Sequence, residues 1–193
     1  MFQQFIPALR IALFFTALTG FIYPALVTGI AQIALPVQAN GSLIAEDGRV
    51  IGSELIGQSF TRPEYFHPRP SAAGQGYDAA ASGGSNLGPT SSRLIARTKE
   101  SIAAYRATNG IARAQVPADA VLASASGLDP HISPDNAELQ APRIAKARGV
   151  EPARILELAR QMHQGRDLGV LGEPRVNVLR LNLALDRRFS TAR

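Results

Sequence analysis

The distribution of apolar and polar positions divides the chain into two unequal parts. From Ile11 to Leu35 no charged residue interrupts an apolar run that lies between Arg10 and Glu46. About 25 residues at ~1.5 Å rise give ~37 Å of helix, enough to cross a ~30 Å hydrocarbon core with some tilt. In lipid every backbone N–H and C=O needs an internal partner, so a single segment there has to be helical. A cleaved signal peptide is one rival reading, because Val37-Gln38-Ala39 offers small residues to a peptidase. Its apolar region is usually only ~7–15 residues long. A core helix of a soluble protein is the other rival, and this run is too long for it. The chain reads as one membrane anchor carrying one soluble domain: a tail over 1–10, a span over 11–35, a polar link over 36–41 and a domain over 42–193.

The anchor is not uniformly greasy. Thr16, Gly20, Pro24 and Thr28 recur every four residues and share a helix face. Small residues at that spacing let another helix approach closely, which is how membrane helices associate. Gly and Pro are also commoner in membrane helices generally. Pro24 removes one backbone hydrogen bond and is expected to kink the helix.

Beyond the anchor the pattern is short-period and broken by Gly and Pro. Leu43-Ile44 and Val50-Ile51 flank the turn residues Glu46, Asp47 and Gly48 and predict a hairpin. Leu55 to Phe60 reads as an extension of the second strand or as another strand. Three prolines exclude regular structure from Arg62 to Pro70, where Tyr65 and Phe66 can pin the loop. A Gly/Ala/Ser-rich stretch over 72–89 leads into a helix capped by Thr90 and stopped at Asn109-Gly110, with Leu94, Thr98, Ile102 and Tyr105 facing the sheet. Ser133 caps a further helix with Pro134 at its first position; Pro142 should kink or split it before Gly149. Pro152 opens the next, closed by Gly165, with His163 in its last turn. Leu168 to Leu171 is short and apolar, and Gly172-Glu173-Pro174 is a turn. Val176 to Phe189 fits both periods, and Asn177 as a cap tips it toward a closing helix after a short strand. The fold class is α+β: a transmembrane helix, then a single mixed domain.

Composition narrows the chemistry. The chain has 193 residues, a formal net charge of +5 and no cysteine, which removes disulfides, thiol nucleophiles and thiolate metal sites. About 150 residues outside the anchor suffice for a core. Lys99 and Lys146 are the only lysines, and the arginines are interleaved with acids, so no nucleic-acid stripe forms. The N-terminal flank of the anchor offers Arg10 and the α-amine, whereas the other offers Arg49 beside Glu46 and Asp47. The positive-inside bias places the N-terminus in the cytoplasm and the domain outside.

Three motifs invite chemical readings. Ser82 to Thr90 is glycine-rich, but Pro89 rather than Lys follows Gly88, so a phosphate loop lacks its cation and a donor. Ser126, Asp129 and His131 are the residue types of a hydrolase triad, and Asp129, His131 and Asp135 could ligate a metal. A base two residues from its orienter rarely aligns, and Asp129 and Ser133 suit turn and cap roles better. No Asp-Lys-Thr-Gly phosphorylation motif and no Thr-Val-Gly-Tyr-Gly filter occurs.

A series of blocks in order carries a family likeness: Thr19-Gly20 to Tyr23-Pro24, Gln38 to Ile44, Ile56-Gly57-Gln58, Tyr65-Phe66, Arg69-Pro70-Ser71-Ala72, Tyr77-Asp78, Ser82 to Pro89, Ser126 to Pro134 and Leu171 to Asn177. The sequence resembles the C subunit of the Kdp-type potassium-transporting ATPases. Two departures are visible: Ala125 stands where the family usually has Gly, and Pro142 interrupts a helix that the family continues. The resemblance implies a noncatalytic, single-span subunit of an inner-membrane complex that imports potassium at the expense of ATP. Its implied partners are a channel-like potassium-binding subunit, the P-type ATPase catalytic subunit and a small single-helix subunit. It implies no cofactor in this chain, ATP and K⁺ being handled by the partners. An ATP-binding role suggested for the family finds no motif here. The family-motif positions, expected to be structural, are Gly57, Gln58, Arg69, Pro70, Gly83, Gly84, Asn86, Asp129, His131, Gly172, Glu173, Pro174, Arg175 and Asn177. The rival class is a membrane-anchored periplasmic enzyme centred on Asp129 and His131.

Overall fold

A computed structural model describes residues 2–112 and 115–189. Met1, Arg113, Ala114 and the last four residues of the expected domain, 190–193, lie outside the described residues. The chain forms two compact units, Met1–Ile51 and Gly52–Arg193.

The first unit is dominated by helix. α1 (Phe2–Ala17) continues through a π turn, Leu18–Ile22, into α2 (Tyr23–Ala34). The segment Gln4–Ala34, 31 residues, is long and apolar enough to cross a membrane, and none of it is buried within the protein. The disturbance expected at Pro24 takes the form of this π turn. Proline has no N–H to give and its ring crowds the carbonyl four residues back; the helix widens so that Tyr23 N–H bonds Leu18 O instead. Thr19 Oγ1 also donates to Phe15 O at 2.7 Å. The expected polar link contains one helical turn, α3 (Pro36–Ala39), steadied by Asn40 Nδ2, which donates to Pro36 O. The hairpin falls where it was predicted, as β1 (Leu43–Glu46) and β2 (Arg49–Ser53), with Asp47 and Gly48 both at positive φ in the two-residue turn.

The second unit is built on helices and a small sheet. No strand forms over Leu55–Phe60: the chain turns and Gly57 N–H bonds Leu128 O at 2.7 Å instead. From there to residue 91 the backbone has no regular element. α4 (Ser92–Asn109) is capped by Ser91 rather than Thr90, Ser91 Oγ accepting from Leu94 N–H, and ends at Gly110 in the left-handed region. The expected inner face, Leu94, Thr98, Ile102 and Tyr105, is half-buried, but α4 packs on α5 (Pro134–Arg148) and not on the sheet.

α5 runs unbroken through Pro142. Losing one internal bond is tolerated where both flanks are packed, Ala141 and Ile144 being fully buried. α6 (Pro152–Gln161) ends four residues earlier than expected, so His163 lies in β4 (His163–Gln164) and not in a helix. β3 (His131–Ile132), β5 (Arg175–Asn177) and β4 form an antiparallel sheet in that order, with His131 opposite Asn177 and His163 opposite Val176. The closing segment resolves as a short strand then α7 (Val178–Arg188), and Asn177 caps it by accepting from Arg180 N–H. Phe66, Ile132, Ile144, Ile155, Val176, Leu181 and Leu185 form the centre of the core. Mixed helix and strand content agrees with the α+β reading.

Candidate functional site

The sequence motifs of the second unit converge on the turn Ser126–His131. Gly127 sits at φ +67°, and a Cβ there would lie 2.6 Å from Ala73 N and Gly83 O. Three loop segments close on this turn. Gly57 N–H binds Leu128 O, Ser71 Oγ donates to Gly127 O at 2.6 Å, and Gly83 N–H and Ser82 Oγ both donate to Ser126 O. Gly84 lies against Ala125 so closely that a Cβ would meet its carbonyl oxygen at 2.9 Å. Ser71 Oγ also accepts from Tyr77 N–H, and Tyr77 OH donates to Arg69 O. Thus Gly57, Arg69, Gly83, Gly84, Asp129 and His131 form one knot, and Asn177 joins it across the β3–β5 pairing. Gln58 lies over Gly52, where an added Cβ would meet its amide at 1.9 Å. Pro70 immediately precedes Ser71, and Asn86 adopts φ +52° in the glycine-rich loop.

Asp129 is the charged centre. Arg69 Nη1 donates to its Oδ2 at 2.8 Å, while the His131 backbone N–H (3.0 Å) and ring Nδ1 (3.3 Å) address Oδ1. Burial alone would raise this carboxyl, but His131 and the Arg69 guanidinium outweigh it and hold it below the ordinary carboxylate value. The pair therefore aligns more closely than spacing suggested, yet no triad assembles. Ser126 Oγ accepts from Leu128 N–H and otherwise faces Ser124, and the described residues show no bond from it to His131. Among the described residues no three His, Asp or Glu side chains gather as a metal-binding group. The open groove beside the knot, about 650 Å³, is lined by Leu55, Ile56, Arg69, Asp129 and the stretch from Ala123 to Ser126.

Gly172 to Arg175 sits apart from the knot. Gly172 is at φ +74°, Glu173 accepts from Arg166 Nη2 at 2.8 Å, and Arg175 Nη2 reaches both Asp167 oxygens at 3.0 and 3.1 Å. Pro174 then leads directly into β5. Asn177 is fully committed, since its Nδ2 donates to Glu54 O at 2.8 Å while its Oδ1 caps α7. Thr16, Gly20, Pro24 and Thr28 lie in the first unit along the apolar helix, and a Cβ at Gly20 would meet nothing within 4 Å.

Sequence reasoning missed a second set of polar residues. Asn182 and Gln140, each almost wholly buried, use both ends of their amides to hold consecutive peptide groups. Asn182 accepts from Phe66 N–H (2.8 Å) and donates to Phe66 O (3.0 Å); Gln140 does the same for His67 at 2.7 and 3.0 Å. Arg143 joins the network by donating to Asn109, Pro63 O, Tyr65 O and Gln140, and burial pushes its guanidinium down to about 10. The available signal was an amide within an otherwise apolar stripe: Asn136 and Gln140 beside Ala137 and Ala141, and Asn182 beside Leu181 and Leu185.

These features define a class: a chain with one helix of membrane-spanning length and one mixed helix-and-strand unit whose motif residues bind one another. The family model described as "K+-transporting ATPase, c chain" matches residues 5–187. The potassium-transporting ATPase KdpC subunit of Myxococcus xanthus is 57% identical over 190 residues, 98% of this chain and 90% of that one. The KdpC subunit of Gemmatimonas aurantiaca is 57% identical over 193 residues, covering 100% of this chain and 96% of its own. That of Caulobacter vibrioides is 58% identical over 191 residues, 98% and 95% of the two chains. The chain belongs to the KdpC family.

Proposed function

We propose that this chain is a noncatalytic accessory subunit of an ATP-driven potassium import complex, holding a channel-like potassium-binding subunit, a P-type ATPase catalytic subunit and a small single-helix subunit together. Residues 11–35 span the inner membrane, the N-terminus is cytoplasmic, and residues 42–193 form a periplasmic domain. The observation that carries this reading is the commitment of the motif side chains. Asp129, Arg69, Asn177, Glu173 and Arg175 are each held by partners within the chain, which suits a structural role. A fully exposed apolar helix supplies the second support, because such a surface needs lipid or another helix. ATP and K⁺ are handled by the partners; a periplasmic domain does not meet cytoplasmic ATP, and its glycine-rich loop lacks the phosphate-loop lysine. Thr16, Gly20, Pro24 and Thr28 form the face toward a partner helix.

The test is purification of the tagged chain in mild detergent from potassium-starved cells. Recovery of a multispanning channel-like protein and a P-type ATPase in near-equal amounts supports the reading. A chain that elutes alone, or a chain whose removal leaves potassium uptake intact, refutes it.

A further inference from the structure

The second unit neutralises its cations with great regularity. Seven arginines between Arg62 and Arg180 pair with carboxylates. Arg143 and Arg188 donate to carbonyl or amide oxygens, and Arg154 stacks on the Phe189 ring at 4.8 Å. Among the described Arg and Lys side chains of this unit, those of Arg93, Arg97, Lys99 and Lys146 alone have no hydrogen bond, ion pair or ring contact. Three of them lie on α4. The fourth, Lys146 on α5, shares an open groove of about 610 Å³ with Ala107 and Thr108 at the end of α4. Both lysines of the chain are therefore in this set.

α4 is also the least covered helix of the unit. Of its 18 residues only Asn109 is buried. At ~100° per residue, Ala96, Ala103 and Ala107 fall within ~40° of one another on the side opposite Leu94, Thr98, Ile102 and Tyr105. Arg93 borders that ridge on one side, with Arg97 beyond it where both also line a groove with Gly74 to Gly76 and Ser85, and Lys99 borders it on the other; Glu100 is the only acid on the helix. The span from Arg93 to Ala107 is ~21 Å.

We infer that the outward face of α4 docks an acidic helix of another subunit of the same complex, whose carboxylates meet Arg93, Arg97, Lys99 and Lys146. This rests on the accessory-subunit reading. Charge fixes the sign of the occupant, since four unneutralised cations against one acid leave the face strongly positive. The apolar strip between the cations selects a protein over a bilayer. Helices that lie on membranes bury Trp, Phe or Leu, whereas this ridge offers alanines, too shallow to anchor in lipid but suited to close approach of a second helix at ~8–10 Å. Exposed pairs are individually weak and are screened over ~10 Å at 0.1 M salt, so the contact orients a partner that the membrane helix already holds nearby.

The test uses the full chain within the purified complex. A photo-crosslinking residue at Ala103 is expected to join α4 to a segment of another subunit, identified by mass spectrometry as a helix bearing Asp or Glu. Arg93→Glu, Arg97→Glu and Lys99→Glu together should reduce that crosslink about ten-fold at low salt while leaving circular dichroism unchanged. Raising salt to ~0.5 M should reduce the wild-type crosslink similarly. A crosslink only to lipid, a crosslink only to a second copy of this chain, or a yield indifferent to charge reversal overturns the inference and leaves the accessory role standing. A wild-type chain that purifies without other subunits overturns both.

Discussion

Adding one methyl group to each motif glycine in turn should give a graded series of stabilities, because the four surroundings differ on one scale. At Gly127 the backbone is left-handed, which costs a residue with a side chain ~1–2 kcal/mol, and the new Cβ would lie 2.6 Å from Ala73 N and Gly83 O. Both neighbours are backbone and cannot swing away, so overpacking adds ~1–3 kcal/mol and the total reaches about 3–4 kcal/mol. Gly57 has ordinary φ, but its Cβ would lie 2.7 Å from Asp129 O, and moving aside stretches the Gly57 N–H bond to Leu128 O. About 2–3 kcal/mol is expected there. Gly84, with one carbonyl at 2.9 Å, should cost ~1–2 kcal/mol. Gly83 has open space and an ordinary φ, so alanine should be neutral or stabilise by ~0.4–1 kcal/mol through the unfolded chain. Thermal unfolding of the full chain in detergent, followed by circular dichroism, reads this directly, at ~2–4 °C per kcal/mol for this size. The expected order of melting temperatures is Gly83→Ala, Gly84→Ala, Gly57→Ala, then Gly127→Ala lowest. Equal effects at Gly83 and Gly127, or a Gly57→Ala variant as stable as wild type, would refute the claim that these loops knot around residues 126–129.

The buried amides give a second prediction. Asn182→Leu strands the Phe66 N–H and C=O at about 1–3 kcal/mol each, whereas Arg160→Ala, losing the exposed pair to Glu138, should change stability by under ~1 kcal/mol; urea midpoints compare them. His67 titrates below its ordinary value because burial, and then the Arg143 charge, disfavour its cation. The unfolded chain therefore binds the proton first as pH falls, so this stabilisation is full above ~6.5 and is lost on descending through the folded value. Melting temperature should drop between pH 7.5 and pH 5 in wild type, with a shallower drop in His67→Asn, and equal slopes would remove His67 as the cause. Finally, Gly20→Leu should at least halve the recovery of partner subunits in the tagged purification, and Phe14→Leu should not; unchanged assembly in Gly20→Leu would exclude that face.

Legibility of the fold followed the locality of the forces. The long apolar helix, the hairpin at Asp47-Gly48, the Ser133 cap with Pro134 and the Asn177 cap are all set by residues a few positions apart, and each is readable. The errors arose where a distant partner decides. Leu55 to Phe60 has a strand-like composition, but Gly57 N–H finds Leu128 O, some 70 positions away, before any strand neighbour. His163 reads locally as a helix end, because its partner in β5 lies beyond the loop at 165–174. Pro142 looked disruptive because local rules omit the packing of Ala141 and Ile144 that holds α5 together. The knot itself was half visible. Its residues could be named as a family pattern, while their convergence on one turn could not be read from spacing.

The same contrast explains how so irregular a chain keeps one shape. Nearly forty residues after β2 contain no helix or strand, a length at which loops are usually disordered or functional. This one is ordered by side chains that imitate a missing sheet. Asn182 and Gln140 bond successive peptide groups as a neighbouring strand would, and Arg148, its side chain fully buried, donates to Glu64 O, Phe189 O and Asp186. Such bonds depend on single side chains, so around Phe66 and His67 the loop's tolerance of change is set by a few polar positions on α5 and α7. Hydrophobic substitutions at the exposed Ala79 and Ala81 should accordingly pass with little effect, while isosteric loss of one amide in Gln140→Glu, which turns a donor into an acceptor facing His67 O, should loosen the loop around His67 and expose its amide to hydrogen exchange at least ten-fold faster. Unchanged protection at Phe66 and His67 in that variant would mean that the core contact of the Phe66 ring, and not the amide clamp, orders this stretch.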